Sequence, residues 1–209
     1  MATESPPQPG LRRNSRDNLD RLLGEMIERP EAQAELAAEV DRDFGEMRAV
    51  MVLDMSGFSR TTQRRGITAF LLMIHQMKLI AGPAVTANGG VVVKAEADNL
   101  FCLFEKVAEA VAAGREITRR LEMVNPLLPE DRRLYASIGI GYGRILNVDE
   151  DDLFGDEVNL ASKLGEDIAD RGVILLTEAA QAEAKEAGIA TRAEEIGISG
   201  LSLPYHVVV

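Results

Sequence analysis

The sequence predicts an α+β domain, with helices packed on a mostly antiparallel sheet and two short helices in front of it. Three observations predict this class. Apolar segments typical of strands alternate with amphipathic segments typical of helices from residue 48 onward. Two of the strands are joined by a short polar link, which favours a hairpin and therefore antiparallel pairing. The 209 residues are 46% hydrophobic, which is enough for the core of one domain of ordinary size.

The N-terminal part of the chain divides into a tail and a helical arm. Residues 1–14 contain three prolines and few apolar side chains, so we expect a disordered tail. Ser15 suits the N-cap of an amphipathic helix that ends before Pro30, and a second short helix follows. The arm at 15–46 is too short to be stable alone, so it is either a helical cap on the main domain at 47–209 or a dimerising or signalling arm.

The first strand and helix of the main domain have clear limits. Residues 48–54 form a nearly continuous apolar run, as expected for a strand buried on both faces. Residues 67–81 have the apolar spacing of an amphipathic helix. The pair Gly82-Pro83 predicts that this helix ends there, because a proline inside a helix removes a backbone hydrogen bond.

The later elements are bounded by the same kinds of signal, an apolar run or period closed by Gly, Pro, Asn or Asp. In chain order they are strands at residues 91–94 and 100–104, a helix at 106–124, a strand at 134–148, a helix at 156–169, a strand at 173–176, a helix at 178–187 and a strand at 205–209.

Three glycines alternate along the strand at residues 134–148. Because successive side chains of a strand point to opposite faces, Gly139, Gly141 and Gly143 lie on one face. Something large comes close to that face, either another backbone of the domain or a ligand. The glycines alone do not decide between packing and function.

Composition excludes several classes of function. The chain has 34 acidic and 23 basic residues and a net charge of −11, which disfavours nucleic acids and anionic membranes as partners. We expect no signal peptide and no stretch approaching the roughly 20 apolar residues of a membrane span. One cysteine, Cys102, and two histidines cannot build an internal disulfide or a structural zinc site, so we expect a cytoplasmic protein.

Two aspartates stand where strands end. Asp54 closes the first apolar strand and is followed at once by the turn residues Ser56 and Gly57. A carboxylate at the end of a buried strand is neutralised well by a divalent cation, although it could also simply cap the turn. Asp98 lies at the tip of the predicted hairpin, four residues after Lys94, where Asp-Asn is also common turn chemistry. The two acids could share a Mg²⁺ site if their strands are neighbours.

A polar pair lies on the helix predicted at residues 156–169. Asn159 and Lys163 are four residues apart and therefore project from the same side of the helix. Such a pair is either a solvated face or part of a site.

Taken in order, the segments VLDMSGFS, KAEAD and DLFGDEVNLASK resemble the catalytic domain of class III adenylate/guanylate cyclases over residues 48–209. The resemblance implies the nucleotidyl cyclase fold with a ferredoxin-like core. It further implies that Asp54 and Asp98 hold a pair of Mg²⁺ or Mn²⁺ ions in each site.

The same resemblance implies roles on the nucleotide side. Lys94 and Asp152 match the residues that contact the purine, and this Lys/Asp combination favours ATP over GTP. Asn159 matches the residue that orients the ribose, and Arg144 stands where the family often has a phosphate-contacting arginine. The glycine face would then lie close to the nucleotide or to the partner subunit.

Two positions depart from the family pattern. The transition-state arginine expected four residues after Asn159 is Lys163, which keeps the charge and loses the bidentate guanidinium. The lysine expected to contact the triphosphate is Ser199. Loss of an arginine of this kind costs on the order of 10³-fold or more in other phosphoryl-transfer systems, so we expect slow turnover or none.

The resemblance therefore implies an adenylate cyclase that acts as a homodimer on ATP, with each site shared by two subunits and no nucleic acid or membrane as a partner. Two alternatives stay open. One is a degenerate cyclase domain that binds a nucleotide or a protein partner without turnover. The other is a structural dimerisation module in which Asp54 and Asp98 are only turn residues.

Overall fold

The computed structural model describes residues 12–55, 66–198 and 201–209. The turn predicted at Ser56 and Gly57 lies outside the described residues, as do most of the predicted tail and Ser199.

Six α-helices and eight strands are present in the described parts of the chain. The helices are α1 (Arg16–Glu28), α2 (Gln33–Phe44), α3 (Ile67–Ala87), α4 (Val107–Val124), α5 (Asp156–Lys163) and α6 (Glu178–Glu186). The strands are β1 (Gly45–Met55), β2 (Val91–Glu96), β3 (Asn99–Phe104), β4 (Ala136–Val148), β5 (Asp152–Phe154), β6 (Ile174–Leu176), β7 (Thr191–Ile198) and β8 (Leu201–Val208).

The strands form one sheet in the order β2-β3-β1-β4-β6-β8-β7, and β5 pairs with the end of β4. Every pairing is antiparallel except that of β4 with β6. This confirms the predicted α+β class with a mostly antiparallel sheet.

Alternation along β1 divides the core between the two faces of the sheet. Ala49, Met51 and Leu53 belong to the larger cluster, which is completed by residues of α3, α4 and α6. Val50 and Val52 belong to a second cluster, which β3, β5 and α5 complete. We call these the first face and the second face of the sheet. Because side chains alternate, the next residue on the second face is Asp54.

Helix α5 covers the glycines of β4. A Cβ atom added to Gly139 would overlap the carbonyl oxygen of Ala161, and one added to Gly141 would lie 2.6 Å from the carbonyl oxygen of Glu157. These two positions therefore need glycine because the backbone of α5 in the same chain lies against them. Of the two interpretations left open by the sequence, packing is the one that the contacts support.

The N-terminal arm packs on the end of β4. Ser15 caps α1, since its Oγ accepts a hydrogen bond from the Asn18 backbone N–H at 3.3 Å. Leu22 and Phe44 form a small core with Val148 of β4. The arm therefore shares a hydrophobic cluster with the sheet.

The predicted end of α3 is wrong. The helix continues through Pro83 to Ala87, because Pro83 removes only one intrahelical hydrogen bond and the last turns are held by buried residues such as Ala84 and Val85. Among the described residues, α3 alone is long and apolar enough to cross a membrane by length and composition, with a mean hydropathy of 1.3. Its buried side, which includes Met77, packs in the larger core cluster.

The sequence also missed an edge strand. Strand β7 pairs with β8, which begins at Leu201 and so is longer than the predicted strand at residues 205–209. An edge strand is only partly covered by the rest of the domain, so it can carry exposed charged residues such as Arg192 and Glu195. These residues interrupt the apolar pattern from which a strand is predicted.

Candidate active site

Asp54 and Asp98 lie together at one end of the sheet. Asp54 pairs with Asn99 between the neighbouring strands β1 and β3, and the Met55 backbone N–H donates to the Asp98 carbonyl oxygen at 3.2 Å. The hairpin that carries Asp98 turns at Ala97, which has a positive φ of 49°. The condition that the sequence left open, adjacency of the two strands, is therefore met.

The carboxylate of Asp54 lacks a compensating charge among its described neighbours. Burial, together with the nearby carboxylates of Asp98 and Glu166, raises the pKa of Asp54 to about 7. Carboxylate oxygens are hard ligands that suit Mg²⁺ and Mn²⁺, so the residues present fit such an ion. No group of three or more potential ligands is assembled within the described part of this single chain.

Lys94 and Asp152 form an ion pair between β2 and β5. The Lys94 Nζ lies 2.8 Å from Asp152 Oδ1, although the residues are 58 positions apart. A register shift between Val92 and Lys94 pairs Lys94 with Phe101, whose ring lies 4.7 Å below the ammonium nitrogen. This irregularity is a β-bulge, and β-bulges commonly change the direction of a side chain. Here the bulge directs Lys94 to the second face.

The pair is electrostatically matched. Burial opposes the charge of Lys94, but hydrogen bonds to Asp152 and Glu96 outweigh it and raise the Lys94 pKa. Burial likewise opposes the charge of Asp152, but hydrogen bonds from Lys94 and Arg16 lower the Asp152 pKa. The side chains are only 18% and 23% exposed. Both groups are therefore held in their charged forms, one as a donor and one as an acceptor.

Arg16 is a site residue that the sequence did not reveal. Its Nη2 atom lies 2.8 Å from Oδ2 of Asp152, so the two oxygens of this carboxylate have different cationic partners. The residues are 136 positions apart and lie in the arm and the main domain. No local motif connects them.

Asn159 and Lys163 project from the same side of α5, as predicted. The Asn159 residue is exposed, and the Lys163 Nζ pairs with Oδ2 of Asp167 at 2.5 Å. The opposite side of α5 is fixed to the sheet by Glu157. Its Oε2 atom accepts hydrogen bonds from the Tyr142 backbone N–H at 3.0 Å and from the Thr177 hydroxyl at 2.6 Å.

Arg144 lies apart from the two aspartates at the strand ends. It is opposite Met47 in the register of β4 and β1, seven positions from Asp54, which is about 23 Å along the strand. Its guanidinium pairs with the carboxylate of Asp41 in α2, and its Nη2 also donates to the Asp41 carbonyl oxygen at 2.9 Å. Within one chain, the structure does not bring Arg144 to the predicted metal residues.

Comparison with known proteins identifies the fold. No protein-family model matches the chain. The chain is 30% identical over 130 residues, or 62% of its length, to "Putative adenylate cyclase 3" of Rhizobium meliloti (strain 1021), and the match spans 22% of that protein.

Solved structures cover more of the chain. The catalytic core of a rhodopsin-guanylyl cyclase with converted specificity, in complex with ATPalphaS, has a TM-score of 0.68 at 17% identity, over 78% of this chain and 96% of that chain. An adenylate/guanylate cyclase/hydrolase from Silicibacter pomeroyi has a TM-score of 0.63 at 24% identity, over 78% of this chain and 95% of that chain. The chain therefore has the fold of nucleotidyl cyclase catalytic domains, which confirms the fold implied by the resemblance.

Proposed function

We propose that this chain is an adenylate cyclase domain that converts ATP to cyclic AMP and pyrophosphate. The observation that carries the proposal is the Lys94–Asp152 ion pair, whose lysine lies on the same face of the sheet as Asp54, in a fold shared with nucleotidyl cyclases. The names of the similar proteins, which include adenylate and guanylate cyclases, support the class of reaction.

The choice of ATP rests on hydrogen-bond chemistry. Adenine presents an acceptor at N1 and a donor at its amino group, which match the donor Lys94 and the acceptor Asp152. Guanine presents a donor at N1 and an acceptor at O6, so both contacts would oppose like groups. A largely desolvated site that leaves polar groups unpaired rejects such a ligand strongly. ATP is therefore the favoured substrate.

The chain's own residues would act mainly by positioning. Asp54 and Asp98 would hold the Mg²⁺ or Mn²⁺ ions, two in each site, which when bound supply positive charge at the reacting phosphates. Asn159 would orient the ribose so that its 3′-hydroxyl attacks the α-phosphorus in line, and pyrophosphate leaves. Lys163 would place its ammonium near the charge that develops on the phosphates.

We further propose that the domain acts as a homodimer with two equivalent sites. Each site would take the aspartate pair from one subunit and Asn159 and Lys163 from the other, as the resemblance implies. The exposed position of Asn159 supports this arrangement, because its face of α5 is open in the single chain. ATP as substrate and a single buried cysteine, Cys102, favour a cytoplasmic location.

A second candidate function is nucleotide binding without turnover. Two observations favour it: Lys163 replaces the bidentate arginine of the family, and its ammonium is engaged by Asp167 in this structure. A lysine already paired with a carboxylate has to exchange that partner before it can contact a phosphate.

One assay separates these functions. The full chain is incubated with ATP or GTP and Mn²⁺, and cyclic AMP and cyclic GMP are measured beside an Asp54→Ala control. We expect cyclic AMP to exceed both the control and cyclic GMP. Absence of product, at concentrations where the chain is dimeric, would exclude turnover, and metal-dependent ATP binding under the same conditions would then support the second function. Failure to bind any nucleotide would contradict both.

A further inference from the structure

The arm extends the ion pair of Lys94 and Asp152 into a row of three groups. Lys94 Nζ donates to Oδ1 of Asp152 at 2.8 Å, and Arg16 Nη2 donates to Oδ2 at 2.8 Å. The carboxylate therefore lies between two cations. Its Oδ1 also accepts a hydrogen bond from the Leu153 backbone N–H at 2.9 Å. In order, the row presents a donor, an acceptor and a donor.

Arg16 is held in this position by its own backbone. Its N–H donates to Oδ2 of Asp149 at 3.0 Å, and the Asp149 N–H donates to the carbonyl oxygen of Asn14 at 2.9 Å. The helix that starts at Arg16 is anchored by the buried side chains of Leu19 and Leu22. The backbone of Arg16 is thus fixed by contacts that do not depend on the pairing of its guanidinium with Asp152.

Aromatic rings support both cations of the row. The guanidinium carbon of Arg16 lies 5.9 Å from the centre of the Phe154 ring, and Lys94 Nζ lies 4.7 Å from the centre of the Phe101 ring. Cations within about 6 Å of a ring centre are attracted to its face. Each cation of the row therefore lies close to an aromatic ring, and 44% of the Arg16 side chain remains exposed.

We propose that Arg16 is a third base-recognition residue, which donates a hydrogen bond to N7 of adenine. The proposal rests on the proposed function, because it assumes that Lys94 and Asp152 contact N1 and the amino group. Along its edge, adenine presents N1 as an acceptor, the amino group as a donor and N7 as an acceptor. This order is complementary to the row of Lys94, Asp152 and Arg16.

The donor capacity of arginine permits this contact. A guanidinium carries five N–H donors, and Arg16 uses one of them for its hydrogen bond to Asp152. The carboxylate oxygen that accepts from Arg16 has a second lone pair, which remains for the adenine amino group. Guanine also has N7, so Arg16 adds affinity for either purine. It contributes to discrimination by holding Asp152 in place as an acceptor.

The test compares two nucleotides that differ at one ring atom. Equilibrium binding to the full chain with Mn²⁺ is measured for 2′,3′-dideoxy-ATP and for its 7-deaza analogue, in which a C–H replaces N7. Neither compound has the attacking hydroxyl, so turnover does not interfere. The variants are Arg16→Ala and Arg16→Lys. The matched control is Arg21→Ala, which removes an exposed arginine of the same helix that pairs with Glu25. Circular dichroism checks that each variant is folded.

We expect the wild-type chain and Arg21→Ala to bind 2′,3′-dideoxy-ATP about tenfold more tightly than the 7-deaza analogue, which corresponds to about 1.4 kcal/mol. Arg16→Ala should bind both nucleotides equally, and Arg16→Lys should keep part of the preference. Equal binding of the two nucleotides by the wild-type chain overturns the inference and leaves the proposed function intact. Tighter binding of 2′,3′-dideoxy-ATP by Arg16→Ala than by wild type also overturns it, because Arg16 would then compete with the base. Absence of binding by the wild-type chain contradicts the proposed function itself.

Discussion

Replacing Gly139 with alanine tests whether α5 packs on the sheet as described. The added methyl group would overlap the carbonyl oxygen of Ala161, and it would lie 2.6 Å from the backbone nitrogen of Gly165 and 2.9 Å from Cβ of Leu164. Two of these three atoms belong to backbone, which cannot rotate away as the end of a flexible side chain can. The variant therefore folds only if α5 and the π-helical segment that follows it (Leu164–Ile168) move off the sheet.

The structure gives the size of the effect. Overpacking a buried site costs about 1 to 3 kcal/mol, and a clash with two backbone atoms belongs at the upper end of that range. For a chain of this length, about 3 kcal/mol corresponds to a fall in Tm of roughly 6 to 12 °C. Because α5 carries Asn159 and Lys163, we expect nucleotide binding to weaken as well.

The matched control is Gly197→Ala in β7, where no atom of the described residues lies within 4 Å of the added methyl group. That change should alter the free energy of unfolding by no more than about 0.5 kcal/mol. Thermal unfolding is followed by circular dichroism at one protein concentration, without nucleotide. Equal Tm values for Gly139→Ala, Gly197→Ala and wild type would refute the packing argument. The glycine face of β4 would then be open to a ligand or to a partner subunit.

Mixing the inactive variants Asp54→Ala and Asn159→Ala should restore about a quarter of the wild-type cyclase activity, because half of the random dimers are mixed and each has one intact site of two. No recovery at concentrations that dimerise would contradict the shared site. Lys163→Arg should raise kcat for cyclic AMP about tenfold or more, since a guanidinium can contact phosphate oxygens in bidentate fashion; an unchanged kcat would show that this position does not contact the reacting phosphates. Cys102 should not react with a thiol reagent in the native chain and should react fully in urea, because burial raises its pKa to about 12. Labelling of native and unfolded chain at the same rate would contradict its burial.

The aspartate pair could be predicted because its position follows from local patterns. An apolar run that ends on Asp54 and a hairpin whose tip carries Asp98 are both visible in the sequence. Their meeting required only that β1 and β3 be neighbours, which is common for strands close in sequence. Likewise, helical spacing alone places Asn159 and Lys163 on one side of α5.

Other features depend on contacts between distant parts of the chain. Arg16 reaches Asp152 across 136 positions and Arg144 reaches Asp41 across 103, and neither pair has a local signal. Helix α3 continues past Pro83 because its turns on both sides of the proline pack in the core. A local rule about proline takes no account of such packing. The glycines of β4 show the same limit. Their spacing predicted a close neighbour, and only the folded chain identifies that neighbour as α5.

The arrangement of charge explains how a chain of net charge −11 could bind a triphosphate. On the proposed function, the carboxylates of Asp54 and Asp98 repel a bare phosphate and attract one that arrives with divalent cations. The base would meet a mixed arrangement instead, since the carboxylate of Asp152 lies between the cations of Lys94 and Arg16. A nucleotide with its cations would therefore be oriented by contacts at its triphosphate and by contacts at its base. A nucleic acid gains little from this arrangement, because its many phosphates would face an acidic surface without chelated ions at each contact.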